Sequence, residues 1–166
     1  MNEIKRVSLN DLRIPFVSTV GLSQDRSIWY YDDQVKRLKK ISIEGHRTFE
    51  STNFITDENA DWSTIFSRNN DLVMQGKSGT TYLLNLFGQL KTKASVDAQI
   101  ISSTADGLIA LNAEKKFLYL LDLKNLSVID LICLPDKLKD IVSVQMVGNF
   151  LYQVEKNGSL KIWKRY

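Results

Sequence analysis

The chain has 166 residues and a formal net charge of +3, with 43% hydrophobic and 25% charged residues. This composition excludes a disordered chain, and the length allows one domain, residues 1–166, with a sizeable core. No stretch approaches the roughly 20 apolar residues of a membrane-spanning helix, and "MNEIKRVSLNDL" at the start lacks the apolar centre of a signal peptide. We therefore expect an intracellular protein, cytoplasmic or nuclear.

The first predicted element is a short strand at residues 3–9, "EIKRVSL". Ile4 and Val7 stand among polar residues there, and this alternation is typical of a strand with one exposed face. The next runs, "VSTVGLS" and "DRSIWYYD" (25–32), predict two strands joined by a short polar turn.

A basic cluster follows at Lys36, Arg37, Lys39 and Lys40. Such a run of charges is typical of a solvated strand edge, and the alternative interpretation is a patch that contacts phosphate or acidic groups.

The segment "GHRTFESTNFITDENADWSTI" (45–65) carries Phe49, Phe54 and Trp62 among acidic residues. It is predicted to be an insertion. Its aromatic residues either fold back onto the core or contact a partner, because long loops in compact domains are often functional and aromatic residues are frequent interface anchors.

The runs "DLVMQGK" and "SGTTYLLN" (78–85) predict the next hairpin. Between them, "QGKSGTT" (75–81) shares residues with a phosphate-binding loop. That loop would need glycine at position 72, where Leu72 stands, and it would need a helix after it, where a strand is predicted. The sequence therefore predicts a hairpin turn.

Two more hairpins are predicted, from "GLIALNA" with "KKFLYLLD" (115–122) and from "FLYQVEK" with "NGSLKIWK" (157–164). Between them lie the single cysteine, Cys133, and "PDKLKD" (135–140), which is predicted to be a short helix, as is "NDL" near residue 11. The apolar neighbours of Cys133 predict a buried, inert thiol.

The four hairpins form a repeat. When they are aligned without gaps, the positions equivalent to Trp163 are Tyr31, Leu84 and Leu121, at intervals of 53, 37 and 42 residues. The long first interval is explained by the expected insertion at 45–65. The last eight residues of each copy begin at a polar turn and continue as an apolar strand.

Several of these strands, such as "IWYY", "YLLNLF", "FLYLLDL" and "IDLICL", are apolar on both faces. Antiparallel sheets of this kind need cover on both sides, and the sequence has little room for helices. Stacked sheets satisfy this requirement, whereas a two-layer sandwich leaves its outer faces wet. The prediction is an all-β fold, a repeat of four-stranded antiparallel meanders in about four blades; another all-β fold is the alternative.

The pattern resembles β-propellers of the WD-repeat type. Residues 141–163 are similar to three strands of one such blade, and Gly45-His46 resembles the Gly-His dipeptide that opens the repeat. Leu121-Asp122 stands where the family has its Trp-Asp pair, and Trp163-Lys164 keeps the Trp. The resemblance implies a ring of blades whose rims bind other proteins.

Such rings are often closed by mixing strands from both termini. The resemblance therefore implies that strand 3–9 lies beside residues 159–165 as the fourth strand of the last blade. Four blades are fewer than is usual. Three arrangements stay open: the chain closes alone, a second copy completes an eight-bladed ring, or a partner protein supplies the missing blades.

No motif predicts catalysis, a cofactor or a metal site, since the single histidine, His46, has no ligands at a suitable spacing. The predicted function is a non-catalytic protein–protein interaction scaffold in an intracellular complex. The candidate contact residues are Phe49, Phe54, Trp62, Lys36, Arg37, Lys39, Lys40, Lys164, Arg165 and Tyr166.

Two other functions remain as alternatives. "LFGQL" (86–90) resembles a Gly-Gln-Leu-Gly stretch of propellers of the chromosome-condensation-regulator type, some of which are nucleotide-exchange factors. The basic residues within 36–40 and 161–165 would serve a subunit that binds nucleic acid.

Overall fold

The computed structural model of the chain describes residues 8, 17–23, 25–52, 55, 61–68, 70–104, 106–112, 114, 116–134 and 141–164. These residues form strands, turns and loops, and none of them lies in a helix. No helix among them could therefore cross a membrane. The strands are β1 (Val17–Leu22), β2 (Ile28–Asp32), β3 (Arg37–Ile41), β4 (Arg47–Glu50), β5 (Trp62–Arg68), β6 (Asp71–Gly76), β7 (Thr80–Asn85), β8 (Leu90–Ser95), β9 (Gln99–Ser103), β10 (Leu108–Asn112), β11 (Phe117–Leu121), β12 (Val128–Cys133), β13 (Ile141–Val147), β14 (Phe150–Glu155) and β15 (Leu160–Lys164).

The strands form four antiparallel sheets in which each strand lies beside its neighbour in sequence. Sheet 1 contains β1–β4, sheet 2 contains β5–β8 and sheet 3 contains β9–β12; sheet 4 has three strands among the described residues, β13–β15. The predicted all-β repeat of meander blades is thus confirmed. The chain divides into two compact units, Met1–Lys93 and Ala94–Tyr166.

Short polar turns join the strands within each sheet, as the sequence predicted. In "QGKSGTT" the Gly79 N–H donates to the Gly76 carbonyl oxygen at 3.0 Å, and Gly79 has a φ of 85°, which favours glycine. The Thr81 hydroxyl donates to the Gly79 carbonyl at 3.0 Å. This stretch is therefore a hairpin turn between β6 and β7.

The sequence repeat and the structural repeat differ in phase in the first blade. The copies at 78–85, 115–122 and 157–164 contain β7, β11 and β15, each the third strand of its sheet, whereas the copy at 25–32 contains β2, a second strand. The 53-residue interval therefore includes one extra strand. The expectation of an insertion at 45–65 was wrong, because this segment contains β4 and the beginning of β5.

In the first unit, sheet 1 packs on sheet 2 through a cluster of buried apolar and aromatic residues. Trp62 of β5 lies at its centre, with its ring edge-to-face against Tyr31 (centroids 6.1 Å apart) and Tyr82 (5.0 Å). The Tyr31 hydroxyl donates to the Ile55 carbonyl at 2.7 Å, so its polar end is satisfied inside the core.

The first strands of these two sheets approach each other closely. A Cβ added to Gly21 of β1 would lie 1.8 Å from the carbonyl oxygen of Ile65 in β5. One residue further along, the Ser67 hydroxyl donates to the Leu22 carbonyl at 3.3 Å. Glycine is therefore needed at position 21 for β1 to lie against β5.

In the second unit, sheet 3 packs on sheet 4. The buried cluster between them includes Ile109 and Leu118 from sheet 3 and Val144, Met146 and Leu151 from sheet 4. The strands β9 and β13 also contact each other.

The outermost strand of sheet 3, β12, differs from the prediction. It was expected to be buried on both faces, but Val128, Ile129 and Leu131 are exposed, and so is Cys133. The expectation of a buried thiol was wrong. The strand β12 is at the edge of sheet 3, where it pairs only with β11, and several of its apolar side chains are exposed.

Three predicted elements lie outside the described residues. These are the strand at 3–9, of which only Ser8 is described, and the two short helical stretches near residue 11 and at 135–140. Closure of the last blade by residues 3–9 stays a prediction.

The close approach at Gly21 predicts that Gly21→Ala lowers the free energy of unfolding by about 2–4 kcal/mol, because β1 must move away from Ile65. Urea unfolding of both proteins measures the difference. Gly148→Ala is the control: φ is 55° there with no atom in the way, so only the backbone cost of about 1 kcal/mol is expected. Equal effects of the two substitutions would contradict the proposed contact.

Candidate interaction surface

One face of sheet 4 is apolar and uncovered. We call it the open face. The cross-strand register places its side chains on the same side of the sheet. It consists of Val147, Phe150, Tyr152, Val154, Leu160 and Ile162.

The residues of the open face are exposed to different degrees. Leu160 is 58% exposed, Ile162 57%, Val147 54% and Phe150 41%, while Tyr152 and Val154 are half-buried. Isolated apolar residues on a surface are common, but a set that continues across three strands marks an interaction site.

In the middle strand of sheet 4, apolar side chains lie on the exposed face and polar side chains on the buried face. On β14, Phe150, Tyr152 and Val154 point to the open face, whereas Gln153 and Glu155 share the buried face with Leu151. A half-exposed strand normally turns its polar residues to water. The reversal is explained if the open face is covered when the protein functions.

The polar residues on the buried face form a chain of hydrogen bonds. The Gln153 amide donates to Glu155 at 3.0 Å, and the Trp163 indole N–H donates to the Gln153 oxygen at 3.4 Å. The Lys161 ammonium pairs with the Glu155 carboxylate. These contacts link β14 to β15 and hold the open-face residues of both strands in register.

The middle strands of the other sheets lack this asymmetry. In β2, Trp29, Tyr30, Tyr31 and Asp32 are all buried in succession, and in β6 every residue from Leu72 to Gly76 is buried. In β10, four of five residues are buried. Among the second strands of the four sheets, β14 is therefore the one that alternates between buried and partly exposed residues.

The open face carries little charge. The register places Lys164 beside Phe150, at one end of β15, where Lys164 is exposed. Gln145, which pairs with Tyr152, is exposed and neutral. The centre of the face is therefore uncharged, which suits an apolar partner surface better than nucleic acid.

The candidate aromatic residues of the 45–65 segment lie elsewhere. Trp62 is 2% exposed and belongs to the core of the first unit, so its position favours core packing over partner contact. Phe49 is half-buried, with its ring 5.4 Å from that of Trp29. Phe54 lies outside the described residues.

The basic cluster is not an exposed patch, because β3 is an inner strand of sheet 1. The Lys39 ammonium is buried 2.7 Å from Asp32 and 3.8 Å from Glu50. Arg37 pairs with Glu50 at 3.0 Å, and Lys36 is exposed in the turn before the strand.

Lys40 and Phe49 come together in a small cleft. The Lys40 ammonium lies 2.5 Å from Asp25 and 5.2 Å from the centre of the Trp29 ring. The cleft has a volume of about 190 Å³, below the roughly 300–1,000 Å³ of usual ligand pockets. Its cation is already paired, so the cleft offers no obvious anchor for phosphate.

The remaining sequence candidates can also be placed. His46 is exposed in the turn between β3 and β4, where its backbone N–H donates to the Ser42 hydroxyl at 3.3 Å. "LFGQL" forms the turn between β7 and β8 and ends at Leu90, the first residue of β8. The described residues contain no group of His, Cys, Asp and Glu that could hold a metal ion. Arg165 and Tyr166 lie outside the described residues.

Sequence reasoning missed most of the open face. It selected Lys164 as a contact residue but selected none of the apolar residues of β14 and β15. The available signal was the alternation in "FLYQVEK". In this run the apolar residues Tyr152 and Val154 alternate with the polar residues Gln153 and Glu155. The alternation alone does not decide whether the apolar or the polar side chains face outward.

The environment of Asp32 affects stability at acid pH. Burial raises the pKa of its carboxyl, but the hydrogen bond from Lys39 and the backbone N–H groups of Val35 and Gln34 outweigh burial, so the pKa lies below its ordinary value of 3.8. Asp32 therefore stabilises the fold above pH 3.8, and this contribution is lost as the pH falls through the folded-state pKa.

We expect Asp32→Asn to cost about 2–3 kcal/mol near neutral pH, because it leaves the buried Lys39 with only the more distant Glu50. The difference from the wild type should shrink as the pH falls below 3.8. Urea unfolding across this pH range measures both. Asp25→Asn, which removes the exposed partner of Lys40, is the control and should cost less than about 1 kcal/mol. A loss at Asp32 that is the same at every pH would contradict the interpretation.

No family model and no curated protein matches the chain. Solved structures match nine-tenths of it at low identity. The C-terminal WD40 domain of Sif2 has a TM-score of 0.60 at 12% identity, over 90% of this chain and 43% of that one. Virginiamycin B lyase from Staphylococcus aureus has a TM-score of 0.54 at 12% identity, over 89% and 55%. The computationally designed Ika4 protein has a TM-score of 0.56 at 14% identity, over 90% and 91%.

The chain thus spans about half the length of the first two structures and nearly all of the third. At this identity the likeness concerns the fold alone, and the matched structures include a lyase as well as a WD40 domain. The chain has the fold of WD-repeat-type β-propellers, as a repeat of about four blades.

Proposed function

We propose that the chain is a non-catalytic protein–protein interaction module that contributes its blades to an intracellular multiprotein assembly. The observation that carries this proposal is the open face of sheet 4, on which Val147, Phe150, Leu160 and Ile162 are all more than 40% exposed. An apolar sheet face of this extent is costly to leave in water, so it favours a protein partner.

The lengths of two matched structures support completion by further blades. The chain spans 43% of the Sif2 chain and 55% of the lyase, whereas it spans 91% of the designed Ika4 chain. By comparison with the first two, the chain supplies about half of the blades. We infer that the rest come from another polypeptide, which packs a β-sheet against the open face.

The free edge of sheet 4 is a second place for completion. Among the described residues β15 pairs only with β14, whereas the other three sheets have a fourth strand. An unpaired edge tends to acquire another strand. Residues 3–9 of the chain remain our proposed fourth strand, and this contact would leave the open face available.

An intracellular setting is proposed from the cysteine. Cys133 is free and exposed on β12. Exposed thiols persist best where the surroundings are reducing, as in cytoplasm and nucleus. Nucleic-acid binding is not favoured, because Arg37, Lys39 and Lys40 each pair with a carboxylate.

The test is affinity capture of the tagged chain from its own cells, followed by native mass spectrometry. The wild type should be recovered as a complex heavier than one chain. Ile162→Asp places a charge on the open face and should reduce recovery of the complex at least about tenfold, since burying an unpaired charge is costly.

Ile129→Asp is the matched control. Ile129 is 52% exposed on β12, the outermost strand of sheet 3, compared with 57% for Ile162, and it lies off the open face. This variant should keep the complex. Recovery of the wild type as a free single chain, or equal recovery with both variants, would contradict the proposal.

A further inference from the structure

Two exposed turns of the chain have nearly the same geometry around an asparagine. Asn157 lies in the turn between β14 and β15, and Asn125 lies in the turn between β11 and β12. The side-chain oxygen of Asn157 accepts a hydrogen bond from the backbone N–H of Ser159 at 2.8 Å. The side-chain oxygen of Asn125 accepts one from the backbone N–H of Ser127 at 3.0 Å. The surroundings of the two asparagine side chains are therefore closely matched.

The residues that follow the two asparagines have similar backbones and different side chains. The Gly158 N–H donates to the Glu155 carbonyl oxygen at 2.9 Å. The Leu126 N–H donates to the Asp122 carbonyl oxygen, also at 2.9 Å. Both residues have a positive φ, 83° for Gly158 and 60° for Leu126. Leu126 is only 4% exposed, whereas Gly158 is exposed and a Cβ added to it would meet no atom within 4 Å.

We propose that Asn157 is a site of spontaneous chemical modification, at which the side-chain amide is lost and the backbone rearranges. The backbone nitrogen of Gly158 attacks Cγ of Asn157, a C–N bond forms, and the proton on that nitrogen passes to water. The bond between Cγ and Nδ2 then breaks, and the amide group takes up a proton and leaves as ammonia. The product is a succinimide ring that joins residues 157 and 158.

Water then opens the ring at either of its two carbonyl carbons. Attack at Cγ breaks the bond between Cγ and the Gly158 nitrogen and gives aspartate. Attack at the main-chain carbonyl carbon of residue 157 breaks the original peptide bond and gives isoaspartate, in which the backbone runs through the side chain. Both products have consumed water, released ammonia and exchanged a neutral amide for a carboxylate.

Two features of the turn favour ring closure at Asn157. The Ser159 N–H donates to the oxygen on which negative charge develops during the attack, so it stabilises the intermediate in the way that an oxyanion-hole donor does. Gly158 has no Cβ, so its nitrogen can approach Cγ without moving a side chain. Asn157 is the only asparagine in the sequence that a glycine follows.

Asn125 has the first feature without the second. The Ser127 hydroxyl donates to its side-chain oxygen at 2.7 Å, in addition to the Ser127 N–H. Ring closure there must also move the buried side chain of Leu126. The residue after the asparagine therefore decides which of these two turns reacts.

The isoaspartate product would alter the hairpin that carries part of the open face. The turn is closed by the Glu155 N–H, which donates to the Ser159 carbonyl oxygen at 3.0 Å, and Val154 pairs with Leu160 just beyond it. Isoaspartate adds one carbon atom to the main chain inside this closed turn. The hydrogen bonds of the turn cannot all keep their present geometry, so we expect isoaspartate to weaken the pairing of β14 with β15.

The test is incubation of the purified full chain in mildly alkaline, isotopically labelled water, followed by proteolysis and mass spectrometry. The peptide that contains Asn157 should incorporate labelled oxygen and separate into aspartate and isoaspartate forms. It should do so at least about tenfold faster than the peptide that contains Asn125.

Two variants exchange the residue after the asparagine. Gly158→Ala adds a methyl group in open space and should slow the reaction at position 157 at least about tenfold. Leu126→Gly should accelerate the reaction at Asn125 toward the rate at Asn157. Urea unfolding checks that each variant folds. If Leu126→Gly does not fold, because Leu126 is buried, Gly158→Ala decides by itself.

A further comparison tests the effect on the hairpin. Anion-exchange chromatography separates the modified chains from the unmodified one. The isoaspartate form should unfold at a lower urea concentration than Asn157→Asp, which has the same charge and an ordinary backbone.

The proposal is overturned if Asn157 and Asn125 react at equal rates, or if Gly158→Ala leaves the rate at position 157 unchanged. Formation of aspartate without isoaspartate would also overturn it, because direct hydrolysis of the side chain passes through no ring. An isoaspartate form as stable as Asn157→Asp would refute the expected effect on the hairpin.

Discussion

The structure depends on the burial of both faces of the middle strands. In β6, five residues in succession from Leu72 to Gly76 are shielded from water, which an antiparallel sheet can achieve only when something packs on each side. Trp62 supplies part of this cover in the first unit, with its ring between those of Tyr31 and Tyr82. The sheets therefore pack face to face, sheet 1 on sheet 2 in the first unit and sheet 3 on sheet 4 in the second.

The open face of sheet 4 is one place where this requirement is not met. Its apolar side chains continue the pattern of the stacked sheets, but Ile162 and Leu160 are more than half exposed. The polar residues of β14 are on the buried side, where Gln153 and Glu155 bond to each other and to residues of β15. Polar residues on the buried side and apolar residues on the exposed side are expected if another surface covers this sheet. They are not expected if the open face stays in contact with water.

Isolated polar pairs inside the stack give specificity to a core that is otherwise apolar. The pair of Lys39 and Asp32 is almost fully buried, and its register links β2 to β3. A one-residue slip of either strand would leave one of the two charges unpaired in the interior, at a cost of several kcal/mol. Apolar contacts tolerate small shifts better, so the polar pairs define which alignment of strands is the stable one.

Much of the fold follows from local sequence. Turn residues such as Gly79 and the apolar runs beside them predict hairpins, because turn geometry and strand patterning both act over a few residues. Features that depend on contacts between distant parts of the sequence were predicted less well. The burial of Trp62 and the exposure of Cys133 depend on which sheet covers which strand. The open face was missed for the same reason, since Tyr152 and Ile162 read as ordinary core residues until the cover of each face is known.

The difference in phase between the hairpin repeat and the blades has a practical consequence for engineering. The pair β1–β2 resembles β6–β7 in sequence pattern, yet one is the start of a blade and the other its middle. A chimera assembled by joining equivalent hairpins would therefore insert or delete a strand at the junction and leave that blade with the wrong number of strands. Junctions placed between β4 and β5, or between β8 and β9, transfer whole meanders and preserve which residues face inward.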